Sequence, residues 1–324
     1  MSAADHVISW GERWKRASFA ALFVNTRDPE WLDRAIEAGL SAHQRSVRAG
    51  HGMTAARSAL DVARLLRDRS YLRAGAEAVE DLDLAETLLT SSLDALAEAP
   101  PYRNVALVDL GAVRARRYEL TLDPGDLDAA EEAYVVALVD PVLMPVNRSI
   151  CLVSMADLKH ELFERRGRTE DLDGAVRAAT EALALEETTP EHRFETRAVL
   201  ADALVDRAEA VAADAHLDPQ GTEHAERAVK DHLDKAVTLF EELLTLPPER
   251  DINRELPRLR GNLAYALRTR HLLTGDPEDL DRQIELLETT LAEVTAPGAA
   301  DPPDAATALK WMIERDRPAE GGTA

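Results

Sequence analysis

The sequence predicts an all-α protein, an α-solenoid of about six helix pairs with a capping helix at its C-terminal end. Three observations support this prediction. A Leu-Asp pair recurs six times, each copy lies in an amphipathic segment, and a second amphipathic segment precedes each copy. Units of about 40 to 50 residues with two helices each are typical of α-solenoids. The leucines of the six pairs are Leu32, Leu82, Leu127, Leu172, Leu233 and Leu280, at spacings of 50, 45, 45, 61 and 47 residues.

The last copy shows why each Leu-Asp segment is expected to be helical. Asp276 is a good N-cap, and Pro277 is preorganised for the first helical position. Apolar residues then recur at steps of four, three and four, which places them on one helix face: Leu280, Ile284, Leu287 and Leu291. Such a helix needs a neighbour to bury its apolar face. We call the Leu-Asp helix of each pair the B helix and the one before it the A helix.

Other columns of the repeat agree with two packed helices per unit. Three residues after each leucine stands a small residue, with Gln283 as the departure: Ala35, Ala85, Ala130, Ala175 and Ala236. Prolines that cannot continue a helix follow the B segments: Pro100, Pro141, Pro190, Pro247 and Pro297. The predicted units are residues 6–46, 53–99, 103–140, 147–188, 191–246 and 254–295, with a cap helix at 304–316. They form one domain over residues 1–316, with a disordered tail at 317–324.

The pattern resembles the tetratricopeptide repeat (TPR), which has a small residue in each helix and a large apolar residue in B. Here Ala264 and Ala236 match the small positions, and Phe240 and Tyr134 match the large one. The resemblance implies a right-handed α-solenoid of about six TPR-like helix pairs plus a C-terminal capping helix. The repeats exceed the common TPR length of 34 residues. In length and in the phrase from Thr274 to Asp281, they look more like the extended arrays that accompany CHAT proteases and NB-ARC ATPases in bacteria.

Composition limits the classes of partner. The formal net charge of −22 repels nucleic acid phosphates and anionic membranes, so we expect no nucleic acid or membrane partner and favour a basic protein or peptide. Cys151 is the single cysteine, which excludes an intrachain disulfide, and its apolar neighbours indicate a buried structural thiol. No apolar run is long enough to span a bilayer, and the N-terminus does not resemble a signal peptide, so we expect a cytoplasmic protein.

The predicted binding surface is the concave side of the solenoid, which A helices line in the TPR family. By alignment with that family, the groove-facing residues are Asp157, His160, Asp202, Asp206, Tyr265 and Arg268. Two acids and an aromatic in successive repeats suit an extended segment that carries Lys or Arg. No metalloprotease, Walker, dinucleotide or nucleophile-elbow motif is present. We therefore predict a non-catalytic protein without catalytic residues, metal or cofactor.

Four further features have two interpretations each. Glu86 and Glu131 stand at matching positions of B helices two and three, and are either tolerated surface charges or coupled carboxylates for a cation or small ligand. The aromatic stretch at residues 6–25 is either an end cap or a contact site. The loop at residues 142–146 either packs or recognises a partner. An expected long B helix at residues 222–246 is either a docking feature or a strut, and its His224 and His232 are too far apart to share a metal ion.

The sequence therefore predicts a protein- or peptide-binding scaffold or adaptor. Its sharper form is the sensor or regulatory partner of a bacterial effector of the CHAT or NB-ARC type. The alternatives are a helical protein that binds a small ligand or ion, and a self-assembling structural protein.

Overall fold

The computed structural model describes residues 3–186, 189–215, 222–245, 256–295 and 303–316, and over these ranges the fold is all-α with thirteen helices and no strand. The A helices are α1 (Ala3–Thr26), α3 (Gly52–Ser70), α5 (Pro100–Thr121), α7 (Pro145–Arg166), α9 (Pro190–Ala215) and α11 (Leu256–Thr274). The B helices are α2 (Pro29–Arg48), α4 (Gly75–Ser92), α6 (Pro124–Val139), α8 (Thr169–Ala184), α10 (Thr222–Thr245) and α12 (Pro277–Val294), and α13 (Pro303–Asp316) follows them.

Packing follows chain order. From α1 to α6 and again from α8 to α13, each helix packs against the next, and α3 also contacts α5 as α9 contacts α11. The predicted fold class, an all-α solenoid of six helix pairs and a capping helix, is thus confirmed. The chain divides into two compact units, an N-terminal unit of residues 1–158 and a C-terminal unit of residues 159–324. The single domain over 1–316 stays a prediction, and the tail at 317–324 lies outside the described residues.

The repeat columns seen in the sequence are core positions. The five alanines three residues after the leucines, from Ala35 to Ala236, are completely buried, as is Phe240. In α5, a Cβ on Gly111 would lie 2.4 Å from a ring carbon of Tyr134, so the small residue of an A helix directly accommodates the large residue of its B helix. Close helix approach is therefore obtained with small side chains rather than with a large aromatic core.

Gln283, the departure from the small-residue column, is also completely buried. Its side-chain amide donates to Asp316 Oδ2 of α13 at 2.9 Å. The exception has a physical reason, since the element that follows α12 is the final helix α13, with which Gln283 hydrogen-bonds. Leu280 is only partly buried in this last pair, unlike the five leucines before it.

A common turn joins A to B in several repeats. Its first feature is a left-handed residue that ends the A helix: Arg27, Leu122, Gly167 and Gly275, with φ of 56°, 57°, 64° and 76°. Each donates its N–H to the carbonyl four residues back at 2.7 Å. In three of these turns an aspartate caps the B helix, accepting from the backbone N–H two residues on at 2.9 to 3.0 Å: Asp28, Asp123 and Asp276. The cap inferred from the sequence at Asp276 is therefore present, and Pro277 begins α12.

In this structure, prolines stand at the beginning of helices more often than just after their ends. Pro100 and Pro190 were interpreted as terminators of B helices, but they are the first residues of α5 and α9. Proline suits this position because the first N–H groups of a helix have no intrahelical acceptor. Pro247 and Pro297 lie outside the described residues.

Repeat five is lengthened in both of its helices. The sequence predicted a longer B helix, and α10 begins eleven residues before Leu233, whereas α12 begins three residues before Leu280. α9 is also the longest described A helix, with 26 residues. The two helices pack together, so the lengthened B helix has the lengthened A helix as its neighbour. His224 is exposed on α10.

At the N-terminal end, Phe19 and Phe23 pack against a core cluster that runs through α2, α3, α4 and α5. The rings of Phe19 and Trp31 stack with centroids 5.8 Å apart. This packing favours the interpretation of these rings as an end cap for the first helix pair.

The left-handed Leu122 provides a test of the turn. Its side chain is exposed, so Leu122→Gly removes the steric cost of a Cβ in this conformation and should raise the free energy of unfolding by roughly 0.5 to 1 kcal/mol. The reverse change at the equivalent position, Gly275→Ala, should lower it by about 1 kcal/mol. Urea denaturation measures both, with Leu122→Ala as the control that retains the strain. Equal stability of the Gly and Ala variants at position 122 would reject this account of the turn.

Candidate functional site

Five of the six residues predicted to face the groove lie in the C-terminal unit, on neighbouring A helices. We call the surface of α9 and α11 that carries Asp202, Asp206, Glu209, Tyr265 and Arg268 the α9–α11 face. The three acids are spaced by four and three residues, which places them in one row along α9. Glu209 was not predicted from the sequence. Asp157 lies in the N-terminal unit and also has polar or electrostatic interactions of its own.

His160 and the row of acids form an electrostatically coupled group. His160 Nε2 lies 2.6 Å from Asp206 Oδ2. Burial lowers the pKa of His160, but the hydrogen bond to Asp206 and the charges of Asp206, Asp202 and Glu164 outweigh it, and the net direction is upward. Burial raises the pKa of Asp202, although Arg258 and His160 oppose the shift. His160 and Asp202 therefore each bind a proton more readily than the free side chains do.

Asp202 and Glu209 bridge α9 to α11. Asn262 Nδ2 donates to Asp202 Oδ1 at 2.7 Å, and Arg258 lies 3.5 Å from the other oxygen. Tyr265 donates its hydroxyl to Glu209 Oε1 at 2.6 Å, which together with burial raises the pKa of Tyr265 to about 12. The ring of Tyr265 is nevertheless exposed. An aromatic ring is thus held at a fixed place beside a row of carboxylates.

Arg268 connects α11 to the last helix rather than pointing freely into solvent. Its Nε lies 3.1 Å from Asp316 Oδ2. Asp316 also accepts from Gln283 and from Arg315, and these partners hold its pKa at about 2, with the Arg315 hydrogen bond as the largest cause. The predicted groove residues on α7, α9 and α11 are therefore partly structural, since the contacts just described each join one of these helices to another helix.

Sequence reasoning missed a second set of residues that recurs in the repeats. An arginine near the C-terminal end of an A helix binds, through two of its nitrogens, an aspartate in the first turns of the B helix of the same repeat. The same arginine also donates to the aspartate of the Leu-Asp pair in the B helix of the preceding repeat. We call this arrangement the arginine clamp. Within the described residues the arrangement is complete in Arg69 with Asp81 and Asp33, in Arg117 with Asp126 and Asp83, and in Arg270 with Asp279 and Asp234.

The clamp geometry is close and half-buried. In the last copy, Arg270 Nε and Nη2 lie 2.8 and 2.6 Å from the two oxygens of Asp279, and Nη1 lies 2.8 Å from Asp234. The Asp279 hydrogen bond raises the pKa of Arg270 more than any other cause. Bidentate arginine–carboxylate pairs are strong and specific in geometry. Two sequence features could have indicated the clamp. Asp-Leu-Asp occurs in four repeats, and an arginine lies near the end of several A segments.

Repeats four and five modify the clamp. In repeat four, Lys159 and Arg168 bind Asp171 at 2.8 and 2.9 Å. In repeat five, Arg207 reaches Asp173 of the preceding B helix at 2.8 Å, but the position just before Leu233 is His232 instead of aspartate. Burial and the charge of Arg207 lower the pKa of His232. The lengthened repeat therefore has half a clamp.

Local contacts bear on two of the other site hypotheses. Glu86 accepts from Arg114 Nε at 2.8 Å and also from Arg117, and these arginines lower its pKa against the effect of burial. Because two arginines already bind Glu86, its geometry does not favour a role as a cation ligand or as a general acid or base. Burial raises the pKa of Cys151 to about 12, which fits a structural thiol. Among the described residues no group of three His, Cys, Asp or Glu side chains is placed to hold a metal ion.

No helix in the described ranges has the length and apolar character required to cross a bilayer.

No protein-family model matches this chain, and no curated protein matches it. The chain is similar to solved structures of Nro1. A structure of the S. pombe nuclear import adaptor Nro1 in space group P21 aligns with a TM-score of 0.52 and 11% sequence identity, covering 93% of this chain and 99% of that chain. A second Nro1 structure, described as a hypoxic regulator of sterol synthesis that is a nuclear import adaptor, aligns with a TM-score of 0.51 and 12% identity, covering 94% of each chain.

At this level of identity, the likeness shows a shared all-α helical-repeat fold. It does not bear on the CHAT and NB-ARC association, which stays a resemblance of the sequence. The TPR-like interpretation of the repeats agrees with the buried alanine columns and with the packing of Tyr134 on Gly111.

The pKa of His160 predicts a pH dependence of stability. Because the pKa of His160 is raised in the folded state, its contribution to stability is fully present below the unfolded value near 6.5 and is lost as the pH rises through the folded value. The stability difference between the wild type and His160→Gln should therefore be larger at pH 6 than at pH 9 in urea denaturation. His224→Gln, on the exposed side of α10, is the control. A difference that stays constant with pH would contradict the assigned pairing with Asp206.

Proposed function

We propose that this protein is a non-catalytic adaptor that binds a segment of another protein on the α9–α11 face. The observation that carries the proposal is Tyr265, whose exposed ring is fixed by Glu209 beside Asp202 and Asp206. Tyrosine is over-represented among residues that dominate protein interfaces, because a rigid ring buries a large area at a small entropic cost. An ordered, exposed ring beside a row of acids is the kind of anchor that such an interface requires.

The charges of this face favour a partner segment with Lys or Arg. Asp206 is bound to His160, and Glu209 accepts from the hydroxyl groups of Tyr265 and Thr269. Neither acid has an arginine or a lysine among these partners. Asp202 has one cation at 3.5 Å. Each carboxylate can accept further hydrogen bonds, since it has about four lone-pair sites. A basic side chain next to a flat or apolar one would complement the row of acids and the ring.

The absence of catalysis is part of the proposal and rests on how the reactive groups are used. His160 is engaged by Asp206, Glu86 by two arginines, and the pKa of Cys151 is raised. The shared fold with Nro1, itself described as a nuclear import adaptor, agrees with an adaptor role at a coarse level. The finer form of the proposal is a CHAT-type or NB-ARC-type partner in a bacterial effector system, and it rests on the sequence resemblance alone.

Tyr265→Ala tests the proposed surface. Affinity capture from the native host's lysate with the wild type should retain a protein that the variant loses by at least tenfold, as expected for an interface anchor worth about 2 kcal/mol or more. Tyr265→Phe should retain most of the binding, because the ring remains. The matched control is Tyr71→Ala, an exposed tyrosine of the N-terminal unit.

A photo-crosslinking residue placed at position 265 should link to the same captured protein, whereas one at position 71 should not. Equal capture by the wild type and by folded Tyr265→Ala would reject the α9–α11 face as the binding surface.

A further inference from the structure

The third B helix, α6, differs from the others in what it exposes. Its buried face is typical of the repeat and includes Leu127, Ala130 and Tyr134. Its outer face, however, carries Val135, Val136 and Val139, of which Val139 is 76% exposed. Val139 lies four residues after Val135 and three after Val136, so it is a neighbour of both on one side of the helix.

Two of the other B helices have only polar residues at these places, which lie eight, nine and twelve residues after the leucine of the Leu-Asp pair, and the remaining three have a single apolar residue there: Leu40, Ala184 and Ala292. Repeat two has Thr90, Ser91 and Asp94, and repeat five has Glu241, Glu242 and Thr245. The repeat fold therefore does not require apolar residues at these positions. A helix that is apolar on its solvent side as well as on its core side indicates a further partner.

The loop after α6 and the first turn of α7 expose further apolar side chains. Leu143 is buried, but Val142, Met144 and Val146 are exposed. Val142 N–H donates to Asp140 Oδ1 at 2.8 Å, and Arg148 Nη1 donates to the carbonyl of Leu138 at 3.2 Å. These bonds hold the loop against the C-terminal end of α6. We call the surface formed by Val135, Val136, Val139, Val142, Met144 and Val146 the valine patch; it lies within the N-terminal unit.

The sequence that contains the valine patch is acidic. Between Arg117 and Arg148 the chain has no Lys, Arg or His and has seven acidic residues: Glu119, Asp123, Asp126, Asp128, Glu131, Glu132 and Asp140. Asp126 is neutralised by the arginine clamp and Glu119 is bound by Arg116, whereas Glu132 is exposed beside the valines. A twofold contact between two copies of this patch would bring these acidic rims together, which charge repulsion disfavours.

We propose that the valine patch is a second docking surface, which binds an amphipathic helix of another protein whose apolar stripe is flanked by Lys or Arg. The exposed valines of α6 form a ridge of the kind that packs into the grooves of a partner helix. The acidic rim complements basic flanking residues and selects against acidic ones. This surface is separate from the α9–α11 face and belongs to the other compact unit.

Two synthetic helical peptides with the same leucine stripe test the proposal, one flanked by Lys and the other by Glu. The patch variant carries Val135→Thr, Val136→Thr and Val139→Thr, which keeps the shape and charge of the helix and removes its apolar face. The control carries Val24→Thr and Val47→Thr, at exposed valines of α1 and α2. Circular dichroism melting confirms that both variants remain folded.

In fluorescence anisotropy, the Lys peptide should bind the wild type and the control alike, bind the patch variant at least tenfold more weakly, and keep its affinity for Tyr265→Ala. The Glu peptide should bind none of them. Equal affinity of the Lys peptide for the wild type and the patch variant would show attraction by net charge alone and overturn the proposal. Equal binding of both peptides would reject the acidic rim as the selecting element. A wild-type dimer in sedimentation analysis that becomes monomeric in the patch variant would assign the patch to a second copy of the chain.

Discussion

The arginine clamp is the interaction on which the regularity of this structure depends. One guanidinium at the end of an A helix joins that helix to its own B helix and to the B helix of the preceding repeat, as Arg117 does with Asp126 and Asp83. A lysine cannot reproduce this geometry, because two parallel N–H donors to one carboxylate and a third to another require the planar guanidinium. The apolar columns supply the driving force for packing, but apolar contacts between alanine and leucine are compatible with small shifts of one helix along another. The clamp fixes the register because a buried aspartate such as Asp279 would otherwise lose its partner.

Much of the fold could be predicted from the sequence because its signals are local and repeated. The Leu-Asp pair, the alanine column and the Asp276-Pro277 cap each specify a helix or a close contact within about twenty residues. The clamp could not be assigned in the same way. Its aspartates were visible as the recurring Asp of the Leu-Asp pair, but the partner of Asp33 is Arg69, 36 residues further on, and only the packed repeat brings the two together. Likewise, Gln283 was an unexplained exception in the sequence until the structure showed that its neighbour is Asp316 in α13.

The two candidate surfaces were predictable to different degrees. Alignment with the TPR pattern predicted Asp202, Asp206 and Tyr265, and the structure shows that the same side chains also bridge α9 to its neighbours. A residue that joins two helices and is still partly exposed can serve stability and recognition together, so substitutions there need controls that separate the two effects. The exposed valines of α6 were not predicted, since an apolar run in a helical segment is equally consistent with burial. Only the observed exposure of Val139 distinguishes the two.

The central claim is that the arginine clamp holds the repeats in register, and repeat five supplies the comparison that tests it. Arg270→Gln leaves the buried Asp279 without its bidentate partner and should cost roughly 3 kcal/mol of unfolding free energy. Arg207→Gln removes only the contact with the half-exposed Asp173, and it also removes a positive charge that lies close to His232. It should therefore cost less than about 1 kcal/mol of unfolding free energy. Urea denaturation of the two variants, followed by hydrogen exchange in α10 and α12, measures the difference. A markedly larger loss for Arg270→Gln, with faster exchange in both B helices, is the predicted result, and equal losses for the two variants would contradict the account.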